Sequence, residues 1–122
     1  MTDAYFRMDE ILRTPEGKDI VSNYMRYETT DGTPNATGCT ACSAIITSKD
    51  IIVANTGDSR AVLAKKGADG KYKALDMSID HKPEMAGEKA RIEKAEGFVE
   101  ANRVNGVLGL SRSIGDLDYK KK

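Results

Sequence analysis

Apolar positions are densest between Gly38 and Lys65, GCTACSAIITSKDIIVANTGDSRAVLAK, and this stretch organises the rest of the chain. It reads as three short β-strands joined by two tight turns. Ile51, Ile52, Val53 and Ala54 run without a polar gap, the pattern of a sheet buried on both faces rather than one with a wet side. Ser48-Lys49-Asp50 supplies the first turn. Thr56-Gly57-Asp58 supplies the second, with a glycine where positive φ is expected.

Ahead of the strands the period changes to helical. Tyr5, Met8, Ile11 and Leu12 form one apolar stripe, and Ile20, Val21, Tyr24 and Met25 form a second. Between them Thr14 is placed as an N-cap with Pro15 at the first helical position, while Gly17 weakens the second helix. Glu28 to Thr37, ETTDGTPNAT, is all turn and loop formers and reads as a connector. After the strands, Lys66 to Lys71 makes a hairpin loop into a strand around Tyr72 to Leu75. Asp69-Gly70 lacks the spaced acids of a calcium loop. Pro83 opens a helix to about Glu96, stopped by Gly97, with a thin apolar stripe of Met85, Ile92 and Ala95. Phe98 to Val107 returns to a strand pattern with Asn105-Gly106 as its hairpin turn, and Leu108 and Leu110 continue the returning strand.

The 19 basic and 19 acidic residues cancel, which gives no bulk attraction to nucleic acid or to a membrane surface. No apolar run approaches a membrane span, and MTDAYFRMDE lacks the basic start and apolar core of a signal peptide. A cytoplasmic or otherwise intracellular protein is expected. Cys39 and Cys42 form a C-x-x-C that could be a redox or zinc motif. On a strand, residues three apart face opposite ways, and a single histidine, His81, is too few to complete a zinc site. Two small residues in a buried strand is the simpler reading.

Four runs, in this order, resemble the metal-dependent protein serine/threonine phosphatases of type 2C (the PPM family). They are GCTA at 38–41, VANTGDSRAVL at 53–63, DHKPEMAGEKARIEKAEGFV at 80–99 and RVNGVLGLSRSIGDLDYK at 103–120. The resemblance implies an α+β fold, a portion of a four-layer α-β-β-α sandwich of antiparallel strands with flanking helices. It also implies hydrolysis of phosphoserine and phosphothreonine in protein substrates, by a water activated on a pair of Mg²⁺ or Mn²⁺ ions.

The family's main acidic metal motifs have no counterpart here: there is no DGHGG-like loop and no DG-x-x-D. Residues 1–122 therefore read as a partial type 2C domain, and 81–112 as its flap-like substrate subdomain. No catalytic residue carries over. Asp58, in GDSR, carries over as a metal-side residue, against the simpler reading that it caps its own turn. Arg103, Asn105 and Arg112 carry over as candidates for substrate contact. The simpler readings are a solvated charge, a turn residue, and a partner to a buried acid or to carbonyls. The expected partners are a phosphorylated protein and another chain completing the sheet. The chain alone is expected to be inactive, and a non-catalytic phosphatase-like scaffold is the alternative.

Overall fold

The computed structural model describes residues 1–24 and 37–120; of Tyr24 only the backbone is described. The expected stripe residue Met25, the side chain of Tyr24 and all of the 28–37 connector except Thr37 lie outside the described residues. The chain divides into two units, Met1–Cys39 with Ser113–Lys122, and Thr40–Arg112.

The first unit holds helices α1 (Thr2–Arg13) and α2 (Pro15–Tyr24), strand β1 (Gly38–Cys39), strand β8 (Ile114–Gly115) and a 3₁₀ turn at Leu117–Tyr119. Thr14 is the hinge between the helices. Its extended backbone ends α1, and its Oγ1 accepts the Gly17 N–H at 3.1 Å, an N-cap bond. Gly17 is required by packing: a Cβ there would lie 2.1 Å from the Ile11 carbonyl oxygen. β1 and β8 pair antiparallel, Gly38 opposite Gly115. Asp9 pins α1 to this pair. Its Oδ1 accepts the Gly115 N–H at 2.8 Å, and its Oδ2 takes the Lys120 ammonium, which also donates to the Ser113 carbonyl at 2.7 Å. The stripe residues Met8, Ile11, Leu12 and Val21, with Ile114 and Leu117, line an apolar cavity of about 550 Å³.

In the second unit β2 (Ala41–Ile46) pairs antiparallel with β3 (Ile51–Thr56), and β4 (Val62–Lys66) with β5 (Tyr72–Asp76), in separate two-stranded sheets. Helix α3 (Ala86–Lys94) and the small hairpin of β6 (Val99–Glu100) and β7 (Arg103–Val104) follow. The α+β class with antiparallel strands holds. Burial on both faces does not: Ile46 is 75% exposed and Ile52 51%, and Ile45 and Ile51 are exposed too. The apolar run has a two-sided pattern, but only Val53 and Ala54 are half-buried, and Ile51 and Ile52 stay exposed. The same holds for the cysteines. Both Cys39 and Cys42 are free and exposed, where a buried strand was expected.

α3 is shorter than expected. Pro83, fully buried, sits in the preceding turn, and the helix starts at Ala86. Its C-terminus is a Schellman motif: Glu96 N–H donates to the Glu93 carbonyl and Gly97 N–H to the Ile92 carbonyl, both at 3.0 Å. The left-handed residue is Glu96 (φ 62), one position before the glycine expected to stop the helix. Of the expected stripe only Ile92 is buried; its companion on the inner face is Glu88. Asn105-Gly106 does form a tight turn, with φ of 50 and 72 and a 3.0 Å bond from Val107 N–H to the Val104 carbonyl. The β6–β7 loop is a second such turn, at Ala101-Asn102 (φ 49 and 60). Beyond it Leu108 makes only an isolated bridge to Val104, and Leu110 lies outside any strand. No described helix is long and apolar enough to cross a membrane.

A left-handed backbone costs a residue with a Cβ about 1–2 kcal/mol, and part of that is recovered on changing to glycine. Glu96→Gly should therefore raise stability by about 0.5–1 kcal/mol. Gly57→Ala, whose Cβ would fall 2.4 Å from Thr40 Cγ2 at φ +102, should lower it by more. Urea denaturation midpoints followed by circular dichroism check both signs.

Candidate functional site

The turn between β3 and β4, Gly57–Arg60, is the centre of the candidate site. Gly57 is buried, and its positive φ lets the chain reverse against Thr40 and the Arg112 carbonyl. The 77–82 segment lies along this turn and is stitched to it residue by residue. Met77 N–H donates to the Ala61 carbonyl and Ala61 N–H to Ser78 Oγ, both at 2.9 Å. Asn55 Nδ2 donates to the carbonyls of Gly57 (3.1 Å) and Ile79 (3.0 Å). His81 N–H donates to the Gly57 carbonyl at 2.9 Å, and its Nδ1 lies 3.2 Å from the Gly57 N–H as acceptor.

Two ion pairs complete the stitching, Arg60 Nε to Asp80 Oδ1 at 2.9 Å and Lys82 Nζ to Asp58 Oδ2 at 2.6 Å. The hydrogen bond from Arg60 lowers the Asp80 carboxyl below the ordinary value, and the bond to Asp58 raises the Lys82 ammonium above its own. The hydroxyls of Thr40 and Ser59 meet at 2.8 Å.

A second cluster fixes α3. Glu88 is 8% exposed. One of its oxygens takes the Arg112 fork at 2.6 and 3.1 Å. The other takes Arg112 Nε at 3.0 Å, Arg91 at 2.9 Å and Ser111 Oγ at 2.8 Å. Burial pushes the Glu88 carboxyl up, but the bonds from Arg112, Arg91 and Ser111 outweigh it and bring it to about 2.

The sequence candidates thus fall in separate environments. Asp58 holds Lys82, and no bond from its carboxylate back to its own turn is seen. Arg112 holds Glu88. Arg103 donates to the Val107 carbonyl at 2.7 Å and braces the Asn105-Gly106 turn, while Asn105 Oδ1 accepts the Phe98 N–H at 3.1 Å. Glu88 and Lys82 were not singled out from the sequence. Lys82 was open to a charge argument: Asp58-x-Arg60 and Asp80-x-Lys82 are complementary when the two runs lie antiparallel.

The donor set does not fit a divalent cation. Among the described residues no three His, Cys, Asp or Glu side chains are grouped to hold a metal ion, and the Asp58 carboxylate is already bonded to an ammonium.

Residues 9–122 match the family Protein phosphatase 2C. The chain belongs to that family. It is 46% identical over 121 residues to a probable protein phosphatase 2C 2 of Paramecium tetraurelia, covering 99% of this chain and 38% of the relative. It is 48% identical over 91 residues to a probable protein phosphatase 2C 21 of Arabidopsis thaliana, covering 75% of this chain and 24% of that one. A phosphatase of Toxoplasma gondii, solved by crystallography, aligns with a TM-score of 0.46 at 30% identity, over 67% of this chain and 35% of that one. The chain therefore spans well under half the length of these phosphatase relatives.

Glu88 titrates lower in the folded chain than its ordinary value of 4.5, so its contribution is fully present above pH 4.5 and is lost as pH falls towards 2. It amounts to at most about 3 kcal/mol. The urea midpoint should drop across that window in the wild type. In Glu88→Gln it should start lower and fall less over the same range, which a pH series of denaturation curves reads directly.

Proposed function

We propose that this chain is the GDSR-and-flap portion of a metal-dependent protein phosphatase that hydrolyses phosphoserine and phosphothreonine in proteins. The observation that carries the reading is the 46% identity over 99% of the chain to a type 2C phosphatase. In this reading Mg²⁺ or Mn²⁺ serves the reaction, its main ligands come from acidic motifs that this sequence does not contain, and the protein works in the cytoplasm or another intracellular compartment. Residues 81–112 are the flap beside the substrate, within a four-layer sandwich to which β2–β5 contribute strands. Arg103 and Asn105 act on the substrate side through the hairpin they brace, and Arg112 through the position it gives α3. A second reading, a non-catalytic phosphatase-like scaffold, is favoured by the Lys82–Asp58 pair, which occupies the metal-side carboxylate.

The two readings separate in a chimera. Residues 1–122 replace the matching segment of the Paramecium relative, and phosphate release from a phosphothreonine peptide is measured with Mn²⁺. Under the enzymatic reading the chimera turns over and loses activity on chelation, while the 122-residue chain alone releases no phosphate. A chimera that folds and binds Mn²⁺ without turnover supports the scaffold.

A further inference from the structure

The tip of the β4–β5 hairpin gathers positive charge in a chain whose net charge is zero. Lys65 and Lys73 are direct cross-strand partners, and two positions nearer the base Leu63 lies opposite Leu75. Residues paired in this way share one face of the hairpin. Past the strand ends, Gly67 N–H donates to the Lys71 carbonyl at 2.8 Å. That bond extends the ladder by one pair and puts Lys71 on the side of Lys65 and Lys73. Lys66, opposite Tyr72, stands on the other face. All four lysines are exposed, and among the described residues no ammonium of theirs is paired with a carboxylate. Asp69, the acid in the loop, has its Oδ1 on the Lys71 N–H at 3.1 Å. Like charges set directly opposite each other destabilise a hairpin, so the Lys65–Lys73 register is an electrostatic cost that an anion would relieve.

We propose that this face, Lys65, Lys71 and Lys73 beside Leu63 and Leu75, docks an acidic peptide segment of a partner protein. Lysine ammonium groups are mobile point charges without the planar fork of arginine, which suits carboxylates spaced along an extended chain. The leucine pair next to them, Leu63 half-buried and Leu75 exposed, offers a floor for an aliphatic side chain between the acids. Nucleic acid is the poorer fit. The lysine face holds no arginine and no aromatic ring on which a base could stack, since Tyr72 stands on the other face. The other end of β5 runs into the 77–82 segment of the candidate site. At about 3.3 Å per residue, the five residues of that strand put the docking face roughly 15 Å from it. The docking surface and the candidate site are thus separate positions, and the proposal does not depend on phosphatase activity.

The test needs no turnover. A fluorophore-labelled hexaglutamate peptide is titrated with the 122-residue chain and followed by anisotropy, and amide shifts of the ¹⁵N-labelled chain locate the contact. Binding should shift Lys65, Lys71 and Lys73, weaken as salt is raised, and be missing for hexaglutamine. Lys73→Glu should weaken binding and at the same time raise the urea midpoint, because it turns the opposed like charges into an attractive pair. Lys65→Glu combined with Lys73→Glu keeps like charges opposed, so its urea midpoint should stay near that of the wild type. Its affinity for hexaglutamate should fall about tenfold, and it should bind hexalysine instead. Hexaglutamate binding that is absent, that survives the double reversal or that shifts amides elsewhere overturns the proposal. So does tighter binding of an oligodeoxythymidylate than of hexaglutamate, which assigns the face to nucleic acid. Concentration-dependent shifts of the same amides without peptide overturn it too, by assigning the face to a second copy of the chain.

Discussion

A buried carboxylate surrounded by donors is the constraint on which the second unit rests. Glu88 projects from α3 onto the 111–112 run, where Arg112 grips both of its oxygens and Ser111 adds a hydroxyl. α3 has little else to hold it, since Ile92 is its one buried apolar side chain. A charge in that position is costly to bury and tolerable only when its oxygens are satisfied. Removing one partner would leave the others facing an unpaired charge. The interaction therefore dictates geometry: α3 can occupy one azimuth, the one that turns Glu88 towards Arg112.

From there the order passes to the candidate site through bonds that can be followed atom by atom. Ser111, bonded to Glu88 by its hydroxyl, gives its N–H to the His81 carbonyl at 3.1 Å. His81 holds Gly57, and Gly57 begins the turn that presents Asp58. The backbone of Arg112 closes the loop, because its carbonyl oxygen would lie 3.1 Å from any Cβ added at Gly57. Glu88 and Asp58 are distinct ion-pair sites on one continuous polar network. The first fixes the frame, and the second is the more exposed of the two.

Much of this was legible from residue chemistry where the signal is local. Thr14-Pro15 marked a helix boundary and Asn105-Gly106 a turn, because capping oxygens and positive-φ residues act within a few positions of themselves. The Ala101-Asn102 turn was not legible, since alanine carries no turn signal and is held left-handed by the pairing of β6 with β7. Glu88 was hidden for a related reason. A periodicity search looks for grease on the inner face and reads a glutamate as solvent-facing. Only the arrival of Arg112 and Ser111, more than twenty residues later, turns that position inward. The expectation of a sheet buried on both faces failed differently. Ile51 to Ala54 state what the strand can tolerate, but burial depends on a covering layer that the strand's own residues do not encode.

That contrast bears on what holds the arrangement together. Hydrogen bonds and ion pairs contribute about 1 kcal/mol each once water is accounted for, while ordering a residue costs about 1–2 kcal/mol of backbone entropy alone. A network of this kind can select one geometry but cannot by itself outweigh the entropy of holding it. The usual source of the difference is apolar burial, yet the buried hydrophobic side chains among the described residues are Ile92 and Val104, with Pro83 beside them. Meanwhile Ile45, Ile46, Ile51, Ile52, Val62 and Leu75 remain exposed on the β2–β5 hairpins. Covering those faces would add the hydrophobic term without touching the network, because none of these side chains takes part in it. Specification of the candidate site and stabilisation of the fold are thus carried by different residues: polar ones at 55–60, 77–82, 88 and 111–112 for the first, apolar ones on the hairpins for the second.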